Sequence, residues 1–319
     1  MSNKVLIVRH GDIASLQVSP AQCVRWVEES FCMKYDAQLP PKISLHPQED
    51  DFFNTMPCLL PQRLGRFAVK EVHRIRGAQP ALGSDLLLYD SRNGRLLALM
   101  DADWITAMRT GAVTALAVRT LKKSGVQVYS FVGLGNTARA AAQCLVADAE
   151  GPVQFRLLRY KDQAEAFACQ WEGHDRVSCT IVDTMEELVA GADVLISCVT
   201  SAAGLLCPDD SLFRQGVLVV PVHTRGFQNC DLFFDKVFGD DMGHIQGFRY
   251  FRQFRQFAEL SQVLLGHRPG RESDSERILS YNIGLGLHDA LFASKIYDLL
   301  QPDDCLSYEQ EKETRKIWL

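Results

Sequence analysis

A glycine-rich segment in the middle of the chain constrains the fold more than any other sequence feature. It follows an apolar stretch over residues 126–132, begins Gly133-Leu-Gly135, and leads into an alanine-rich stretch that ends at Ala149. This order of strand, turn and helix with a GxGxxA pattern is typical of a dinucleotide-binding unit. Gly133 permits the tight turn, Gly135 lets the backbone approach a pyrophosphate, and free N–H groups at the helix start bind the anion. The residues predicted to contact the dinucleotide are Gly133, Leu134, Gly135, Asn136 and Thr137.

The residues after this segment alternate between strand and helix patterns. Strand patterns cover residues 153–158, 179–182, 194–199 and 216–222, and helix patterns cover residues 162–170 and 185–190. Alternation of this kind predicts a parallel sheet, so we expect an α/β domain with a Rossmann-type, doubly wound parallel sheet. The alternative is a doubly wound domain whose glycine turn binds a different ligand.

Two loops after predicted strands bear on the cofactor. An acid at the end of the second strand favours NAD, but this chain has Arg159 and Lys161 there, which can accept a 2′-phosphate. We therefore expect NADP to be preferred over NAD, although both cations can equally be ordinary exposed loop residues. Thr200 and Ser201 follow the fourth strand, near the expected nicotinamide, but a Thr-Ser pair is also common in turns.

Residues before this domain mix helix and strand patterns without βαβ alternation. Strands are predicted over residues 5–8, 67–72, 86–89 and 96–100, a hairpin turn over 90–94, and helices over 20–35 and 104–121. The sequence therefore predicts a separate α+β domain. Towards the C-terminus we expect helices over residues 245–265 and 276–300, followed by an irregular polar tail from Gln301.

Phenylalanines recur every three residues near the C-terminal end of the predicted sheet, at Phe248, Phe251, Phe254 and Phe257, and arginines lie between them. Interleaved aromatic and basic residues can bind nucleic acid. In an acidic protein, residues at helical spacing more often form a packing stripe with a solvated face, and this is the interpretation that we favour.

Composition excludes several classes of protein. The 319 residues suggest about two domains, and a net charge of −5 argues against a nucleic-acid or anionic-membrane partner. The ten cysteines form no CxxC pair and no zinc-type spacing, so we predict buried thiols, no metal and a reducing compartment. No signal peptide or membrane span is recognisable, which predicts a cytoplasmic protein.

The helix before the glycine turn carries the most specific motif in the chain. Residues 104–115 read Trp-Ile-Thr-Ala-Met-Arg-Thr-Gly-Ala-Val-Thr-Ala. This segment resembles the ornithine cyclodeaminase/mu-crystallin family, whose hallmark is a Leu-Thr-x-x-Arg-Thr-x-Ala helix just before the dinucleotide domain. Further agreement lies in residues 40–42, 53–57, 65–70, 94–98 and 284–297, so the resemblance covers nearly the whole chain.

The resemblance implies a division of the chain into two domains. Residues 1–117 and 287–319 would bind the substrate and dimerise, and residues 118–286 would form the inserted dinucleotide domain. It also implies a homodimer that acts on α-amino acids, amino-acid conjugates or cyclic imines.

The resemblance assigns particular residues to the substrate. Carried over by position, Lys42, Lys70 and Arg109 hold the substrate carboxylate, and Met56 belongs to the same site. The planar guanidinium of Arg109 suits a carboxylate because it can donate two parallel hydrogen bonds. Thr110, the next residue in the motif, is assigned to the cofactor. The alternative for each cation is a solvated position on the surface.

One departure from the family bears on the reaction. After the fifth strand the cyclodeaminases have a Gly-Gly-Asp-like segment with a catalytic Asp, whereas Arg225 occupies roughly that position here, with Asp231 nearby as a possible substitute. Arg225 favours a substrate with an additional carboxylate, and the segment resembles the branch that makes siderophore precursors. His223, Asp241 and Lys70 are the candidate proton carriers, although a lone histidine is more often structural.

Together these features predict an NAD(P)-dependent oxidoreductase that acts on the C–N bond of an α-amino acid, an amino-acid conjugate or an imine. Because a nicotinamide carries the redox chemistry, the protein's part is to position the reacting atoms. Two alternatives stay open: a cyclodeaminase of ornithine or lysine, and a non-catalytic protein that holds NADP, as mu-crystallin-like members of the family can be.

Overall fold

The computed structural model describes residues 3–48, 51–200, 202, 204–223 and 232–311. The chain forms two compact units, of which the first comprises residues 1–18, 33–106 and 285–319 and the second comprises residues 19–32 and 107–284. Residues 19–32 and 107–117, which the sequence-based division assigned to the substrate domain, belong to the second unit. The helix over residues 20–32 does so because it packs against two helices of that unit.

The first unit is built on one mixed sheet. Its strands are β1 (Asn3–Val8), β2 (Ile43–Leu45), β3 (Phe52–Leu59), β4 (Arg66–Arg74), β5 (Leu82–Asp90), β6 (Arg95–Asp101) and β15 (Leu306–Gln310). They lie in the order β15-β1-β6-β5-β4-β3-β2, with β1 and β6 parallel and the remaining described pairs antiparallel. The unit also contains the helices α1 (His10–Ser15) and α9 (Gly286–Leu299).

Burial alternates along the strands of this sheet, as expected for a sheet with one covered face. In β4 the side chains of Ala68, Lys70 and Val72 are buried, and those between them are partly exposed. Helix α9 packs against β3, β4 and β5. Its first residue, Gly286, lies so close to β3 that an added Cβ would be 3.0 Å from the carbonyl oxygen of Met56.

The second unit is built on a parallel sheet. Its strands are β7 (Val128–Val132), β8 (Val153–Leu158), β9 (Val177–Val182), β10 (Val194–Ser197), β11 (Leu218–Pro221), β12 (Lys236–Gly239), β13 (Phe257–Glu259) and β14 (Ile278–Tyr281). Its helices are α2 (Pro20–Cys32), most of α3 (Asp103–Leu121), α4 (Asn136–Asp148), α5 (Gln163–Cys169), α6 (Met185–Ala190), α7 (Met242–Ile245) and α8 (Leu260–Leu264).

The strand order of the parallel sheet is β13-β12-β14-β11-β10-β7-β8-β9. From β7 the chain proceeds outwards to β8 and β9, and it then returns to the other side of β7 as β10. This reversal is the defining feature of a doubly wound sheet. Strands such as β10 and β11 are buried at every position, as expected when helices cover both faces. The predicted α/β class and Rossmann-type sheet are confirmed.

The predicted helix over residues 245–265 is wrong. The phenylalanines at positions 248, 251, 254 and 257 lie on a short 3-10 turn, on bends and in β13, and all four pack against the core of the second unit. Their rings also contact one another, with centroids 5.2 Å apart for Phe251 and Phe257. The three-residue repeat therefore reflects packing, as expected, but without an α-helix.

Two further expectations about the C-terminal region are corrected. Residues 276–300 form β14 and then α9 rather than one helix, because Gly284 at φ +95° turns the backbone between them. The tail is not irregular throughout, since β15 pairs antiparallel with β1. Partners distant in sequence define these strands, so no local pattern indicates them.

Candidate active site

Lys70 is fixed inside the first unit rather than solvated on the surface. It lies in the middle of β4, opposite Met56 of β3 and Leu86 of β5, and its side chain is 0% exposed. Its Nζ donates to the carboxylate of Asp289 at 2.7 Å and to Oγ1 of Thr106 at 3.2 Å. A buried ammonium needs such partners, because desolvation of a charge costs several kcal/mol. The unit therefore holds a lysine in one position beneath α9.

Arg109 is also buried, in the second unit. It lies on α3 and is 5% exposed. Its guanidinium covers the backbone of Gly284, where a Cβ would overlap it. The Gly284 N–H in turn donates to Oδ2 of Asp240 at 2.5 Å, and Asp240 is 0% exposed. Gly284 is therefore required both for its positive φ and for the space that the guanidinium occupies.

The glycine turn lies where the strand order reverses. Gly133 follows β7 at φ +79°, and an added Cβ would be 2.8 Å from the carbonyl carbon of Cys198 after β10. Gly135 caps α4 without a side-chain hydrogen bond, and nothing lies within 4 Å of the place where its Cβ would be. The first turn of α4 therefore presents backbone N–H groups to open space, an arrangement that suits an anion.

His223 lies at the same edge of the parallel sheet. It follows β11, and its Nε2 is 2.6 Å from Oγ of Ser197, the last residue of β10. Ser197 is 0% exposed and pairs with Val132 on one side and Pro221 on the other. The imidazole is therefore anchored close to the glycine turn. A proton carrier at this position could act on a substrate that lies beside a bound nicotinamide ring.

The two cations after β8 differ in their surroundings. Arg159 forms ion pairs with Asp183, at 2.6 Å, and with Glu165. The hydrogen bond to Asp183 and the charge of Glu165 raise the pKa of Arg159. Lys161 adopts φ +52° and lies over the ring of Tyr160, 5.4 Å from its centroid. Neither residue is an acid that could bind a ribose 2′-hydroxyl.

The remaining predicted site residues lie on several different elements. Met56 is buried in β3, Lys42 is partly exposed before β2, and Thr110 accepts a hydrogen bond on its carbonyl from Thr114. Asp241 occupies the N-cap position of the short helix α7 without a side-chain capping hydrogen bond, and Thr200 is exposed. Three residues lie outside the described part of the chain: Ser201, Arg225 and Asp231.

In the described ranges, no three His, Cys, Asp or Glu side chains are grouped so that they could hold a metal ion. No helix there is long and apolar enough to cross a membrane. Cys23 and Cys58 are buried, and burial raises the pKa of each thiol to about 12. Cys32 and Cys169 are exposed, contrary to the expectation of buried thiols.

Sequence reasoning missed Asp289 and Ser197. Asp289 is 219 positions from Lys70, and only the packing of α9 on β4 brings the two together. The available signal was an acid followed directly by the apolar run Ala290-Leu-Phe-Ala293, because an acid in such surroundings is buried only with a partner. Ser197 resembled any small residue in a buried strand, and nothing in the sequence indicated that it contacts His223.

The family model for ornithine cyclodeaminase/mu-crystallin matches residues 4–303 of this chain. This chain belongs to that family. The expected resemblance is thereby confirmed over nearly the whole sequence.

The chain is similar to several named proteins. Nodulation efficiency protein NfeD of Rhizobium meliloti is 29% identical over 275 residues, which cover 82% of this chain and 84% of the relative. Ketimine reductase mu-crystallin of Mus musculus is 29% identical over 243 residues, covering 69% and 71%. N-((2S)-2-amino-2-carboxyethyl)-L-glutamate dehydrogenase of Staphylococcus aureus is 24% identical over 231 residues, covering 68% of each chain.

Solved structures of the family share the fold. The Δ1-pyrroline-2-carboxylate reductase of Thermococcus litoralis, solved with NADH and L-proline, matches with a TM-score of 0.83 at 22% identity, covering 92% of this chain and 97% of that one. A dimeric archaeal alanine dehydrogenase with bound NAD matches with a TM-score of 0.81 at 22% identity, covering 97% and 99%.

Proposed function

We propose that this member of the family is an NAD(P)-dependent oxidoreductase that acts on the C–N bond of an α-amino acid, an amino-acid conjugate or an imine. The observation that carries the proposal is the glycine turn at the reversal of the parallel sheet, next to the open N-terminus of α4. Doubly wound sheets bind dinucleotides at this point. The relatives named above, which include reductases and dehydrogenases of imino and amino acids, support the substrate class.

The protein's own residues divide the work between binding and proton transfer. Arg109 supplies a buried guanidinium that can grip a carboxylate with two hydrogen bonds. The family resemblance assigns Lys42 and Met56 to the substrate as well. When bound, the nicotinamide supplies or accepts the hydride. In the direction of reduction, the substrate nitrogen gains a proton, which Lys70 supplies. His223 and Asp241 are the alternative donors, and Ser197 orients His223.

Several backbone and side-chain groups of the second unit would hold the dinucleotide. Gly133, Leu134 and Gly135 form the turn, and Asn136 and Thr137 begin the helix whose N–H groups face the pyrophosphate. Thr110, Thr200 and Ser201 complete the proposed set of contacts.

We further propose that NADP(H) binds more tightly than NAD(H). The support is the absence of an acid among the residues directly after β8, where Arg159 and Lys161 are found instead. Arg159 is shared between two carboxylates, so a 2′-phosphate must compete with Asp183 and Glu165 for it. We expect a preference of about tenfold, well below the sum of two unopposed charge-assisted contacts. Calorimetric titration with both cofactors tests this, and equal or tighter binding of NAD(H) contradicts it.

The first unit is proposed to form a homodimer. On the sheet face opposite α9, paired residues of six neighbouring strands form a continuous apolar row. The members of this row are Pro57, Val69, Leu87, Leu99, Ile7 and Leu306. None of the six is fully buried within the chain. A second copy of the same face would remove this row from water.

Cyclodeamination, the competing reaction, can be distinguished from the proposed oxidoreductase activity by its products. The experiment incubates the protein with ornithine and either NAD or NADP and measures proline and ammonia. We expect neither product to accumulate, because Arg225, at about the position of the family's catalytic acid, would repel an ammonium or iminium group. Reduction of a cyclic imino acid at the expense of NAD(P)H is expected in the same preparation. Rapid proline formation from ornithine would contradict this expectation and support cyclodeamination as the activity.

A further inference from the structure

The buried lysine of the first unit stands at one end of a chain of hydrogen bonds. Lys70 Nζ is 3.2 Å from Thr106 Oγ1, Thr106 Oγ1 is 2.9 Å from Ser84 Oγ, and Ser84 Oγ is 3.0 Å from Asp103 Oδ1. Lys70 is 0% exposed and Ser84 is 6% exposed, whereas Asp103 at the start of α3 is exposed. Four side chains thus connect a buried amine to the surface.

The direction of each hydrogen bond follows from the groups that make it. An ammonium can only donate, and a carboxylate can only accept. The single hydroxyl hydrogen of Ser84 goes to Asp103, so Thr106 must donate to Ser84 and accept from Lys70. All three bonds therefore run the same way, from cation to anion, and bonds in such a chain strengthen one another.

The local fold holds this chain in place. The Ser84 N–H donates to the same Asp103 oxygen at 2.6 Å, and the Ser84 carbonyl accepts from Ala102 at 2.9 Å. Asp103 in turn receives support from Asp101, whose carboxylate accepts from the Asp103 N–H at 3.0 Å. Strand β5 is thereby tied to the first turn of α3, and the two hydroxyl groups have little freedom to separate.

We propose that Thr106, Ser84 and Asp103 form a proton relay between Lys70 and the solvent. The proposal rests on the function assigned to Lys70 above, because each turnover that uses Lys70 as an acid leaves a neutral amine that must be recharged inside the protein. Asp289, 2.7 Å away, keeps the lysine in position while the proton moves.

In the direction of imine reduction, the substrate nitrogen takes a proton from Lys70, and an Nζ–H bond breaks. Water protonates the Asp103 carboxylate, and the two hydroxyl groups rotate so that each donates towards Lys70. The amine then takes the hydroxyl hydrogen of Thr106, which takes that of Ser84, which takes the proton of the Asp103 carboxylic acid, and Asp103 is again a carboxylate. In the direction of oxidation, Lys70 gains the proton of the substrate nitrogen. The hydroxyl hydrogens then already point towards Asp103, so the proton passes outwards along the same chain and Asp103 releases it to water.

The direct test measures how fast the Nζ hydrogens of Lys70 exchange with water, in the absence of substrate and cofactor. The full chain is labelled with ¹⁵N-lysine, and the Lys70 signal is assigned by its loss in Lys70→Met. The variants are Thr106→Val, Ser84→Ala and Asp103→Asn, each of which removes one carrier at nearly constant shape. Thr114→Val is the matched control, because its hydroxyl lies on the same helix as Thr106 and donates to the Thr110 carbonyl instead of to a member of the relay.

We expect exchange to slow by about tenfold or more in all three variants and to stay unchanged in Thr114→Val. Thr106→Ser, which keeps the hydroxyl, should restore it. Unchanged exchange in Ser84→Ala or Asp103→Asn overturns the proposal, because the proton then leaves by another route. This readout needs no turnover, so it stands apart from any failure of the proposed oxidoreductase activity.

A second readout separates a relay from a structural role. With an imino-acid substrate, the relay variants should lose kcat by about 10²-fold at nearly constant KM, and their solvent deuterium isotope effect should rise as proton delivery becomes limiting. A purely structural role would instead displace Lys70 and raise KM without an increased isotope effect, and that outcome contradicts the proposal.

Discussion

Two charged side chains form an ion pair deep inside the first unit. Lys70 is 0% exposed, Asp289 is 1% exposed, and their charged groups are 2.7 Å apart. An isolated charge in such a place is strongly destabilising, but a pair can be replaced together at little cost. A gain in stability therefore does not explain why the pair is present. The motif in α3 and its family resemblance pointed to Lys70 and Arg109, but not to the partners that hold them, because those partners are distant in sequence.

Substitution of one partner tests the ion pair. Asp289→Asn leaves a buried ammonium without its carboxylate, and we expect a loss of about 3–5 kcal/mol in the free energy of unfolding. Lys70→Met combined with Asp289→Leu removes both charges, so stability should return close to that of the original chain while activity stays absent. Urea denaturation at one fixed protein concentration measures the free energy of unfolding of both variants.

The control for this pair lies on the same helix. Asp298 pairs with Arg66 at 3.0 Å but is 57% exposed, so Asp298→Asn should change stability by less than about 1 kcal/mol. If Asp289→Asn is no more costly than Asp298→Asn, the ammonium of Lys70 is not confined as the structure describes.

The carboxylate grip is tested at Arg109. Arg109→Lys keeps the charge but loses the planar fork, so we expect kcat/KM to fall by about 10²-fold, equivalent to about 2.7 kcal/mol. Cofactor affinity should barely change. Arg119→Lys is the control, since Arg119 lies on the same helix and only pairs with Glu28 and Asp148 near the surface. Weaker dinucleotide binding with unaltered substrate kinetics would instead make Arg109 a cofactor residue.

Secondary-structure elements position the dinucleotide site through backbone geometry. Alternating strand and helix patterns over residues 126–222 predicted the parallel sheet, because each of those elements has its own hydrophobic period. Strands β12, β13 and β14 were missed, since short apolar runs do not distinguish a buried strand from a helix. The sequence also does not show where two helices cross closely. Helices α3 and α4 do so at Gly111, where an added Cβ would lie 2.5 Å from the backbone of Ala140.

The turn after β7 offers a test at this scale. Gly133→Ala places a Cβ against the backbone of Cys198 and also strains a residue at φ +79°. Gly173→Ala is the matched control, because Gly173 has φ +77° but nothing within 4 Å of the added Cβ. We expect the control to cost about 1–3 kcal/mol and to bind NAD(P)H normally. Gly133→Ala should cost more and lose cofactor binding, as measured by calorimetry. Equal cofactor affinities would remove the turn from the proposed site.

Across the whole molecule, the two units contain different parts of the proposed machinery. The first unit carries Lys70 and the apolar row, and the second carries the glycine turn and Arg109. The sequence indicated two domains, and its division differs from the two compact units at α2, because amphipathic patterning shows that a helix is buried and not what buries it.

The apolar row is tested by the oligomeric state. Leu99→Glu puts a charge into the row, where Leu99 is 38% exposed, and should shift the protein towards a 35.8 kDa monomer in light scattering at micromolar concentration. Leu82→Glu is the control, since Leu82 is 44% exposed on the neighbouring strand but lies outside the row. A monomer before any substitution, or equal behaviour of the two variants, contradicts the proposed interface.

The path of the hydride tests the proposed function most directly. The protein is incubated with a cyclic imino acid, such as Δ1-pyrroline-2-carboxylate, and with NADH or NADPH that carries deuterium on the transferred position of nicotinamide C4. Mass spectrometry then locates the label in the product. We predict one deuterium at Cα of the amino acid for each cofactor oxidised. Cofactor binding without label transfer to any imino acid tried would instead make this chain a binding protein, and label found only in water would exclude direct hydride transfer.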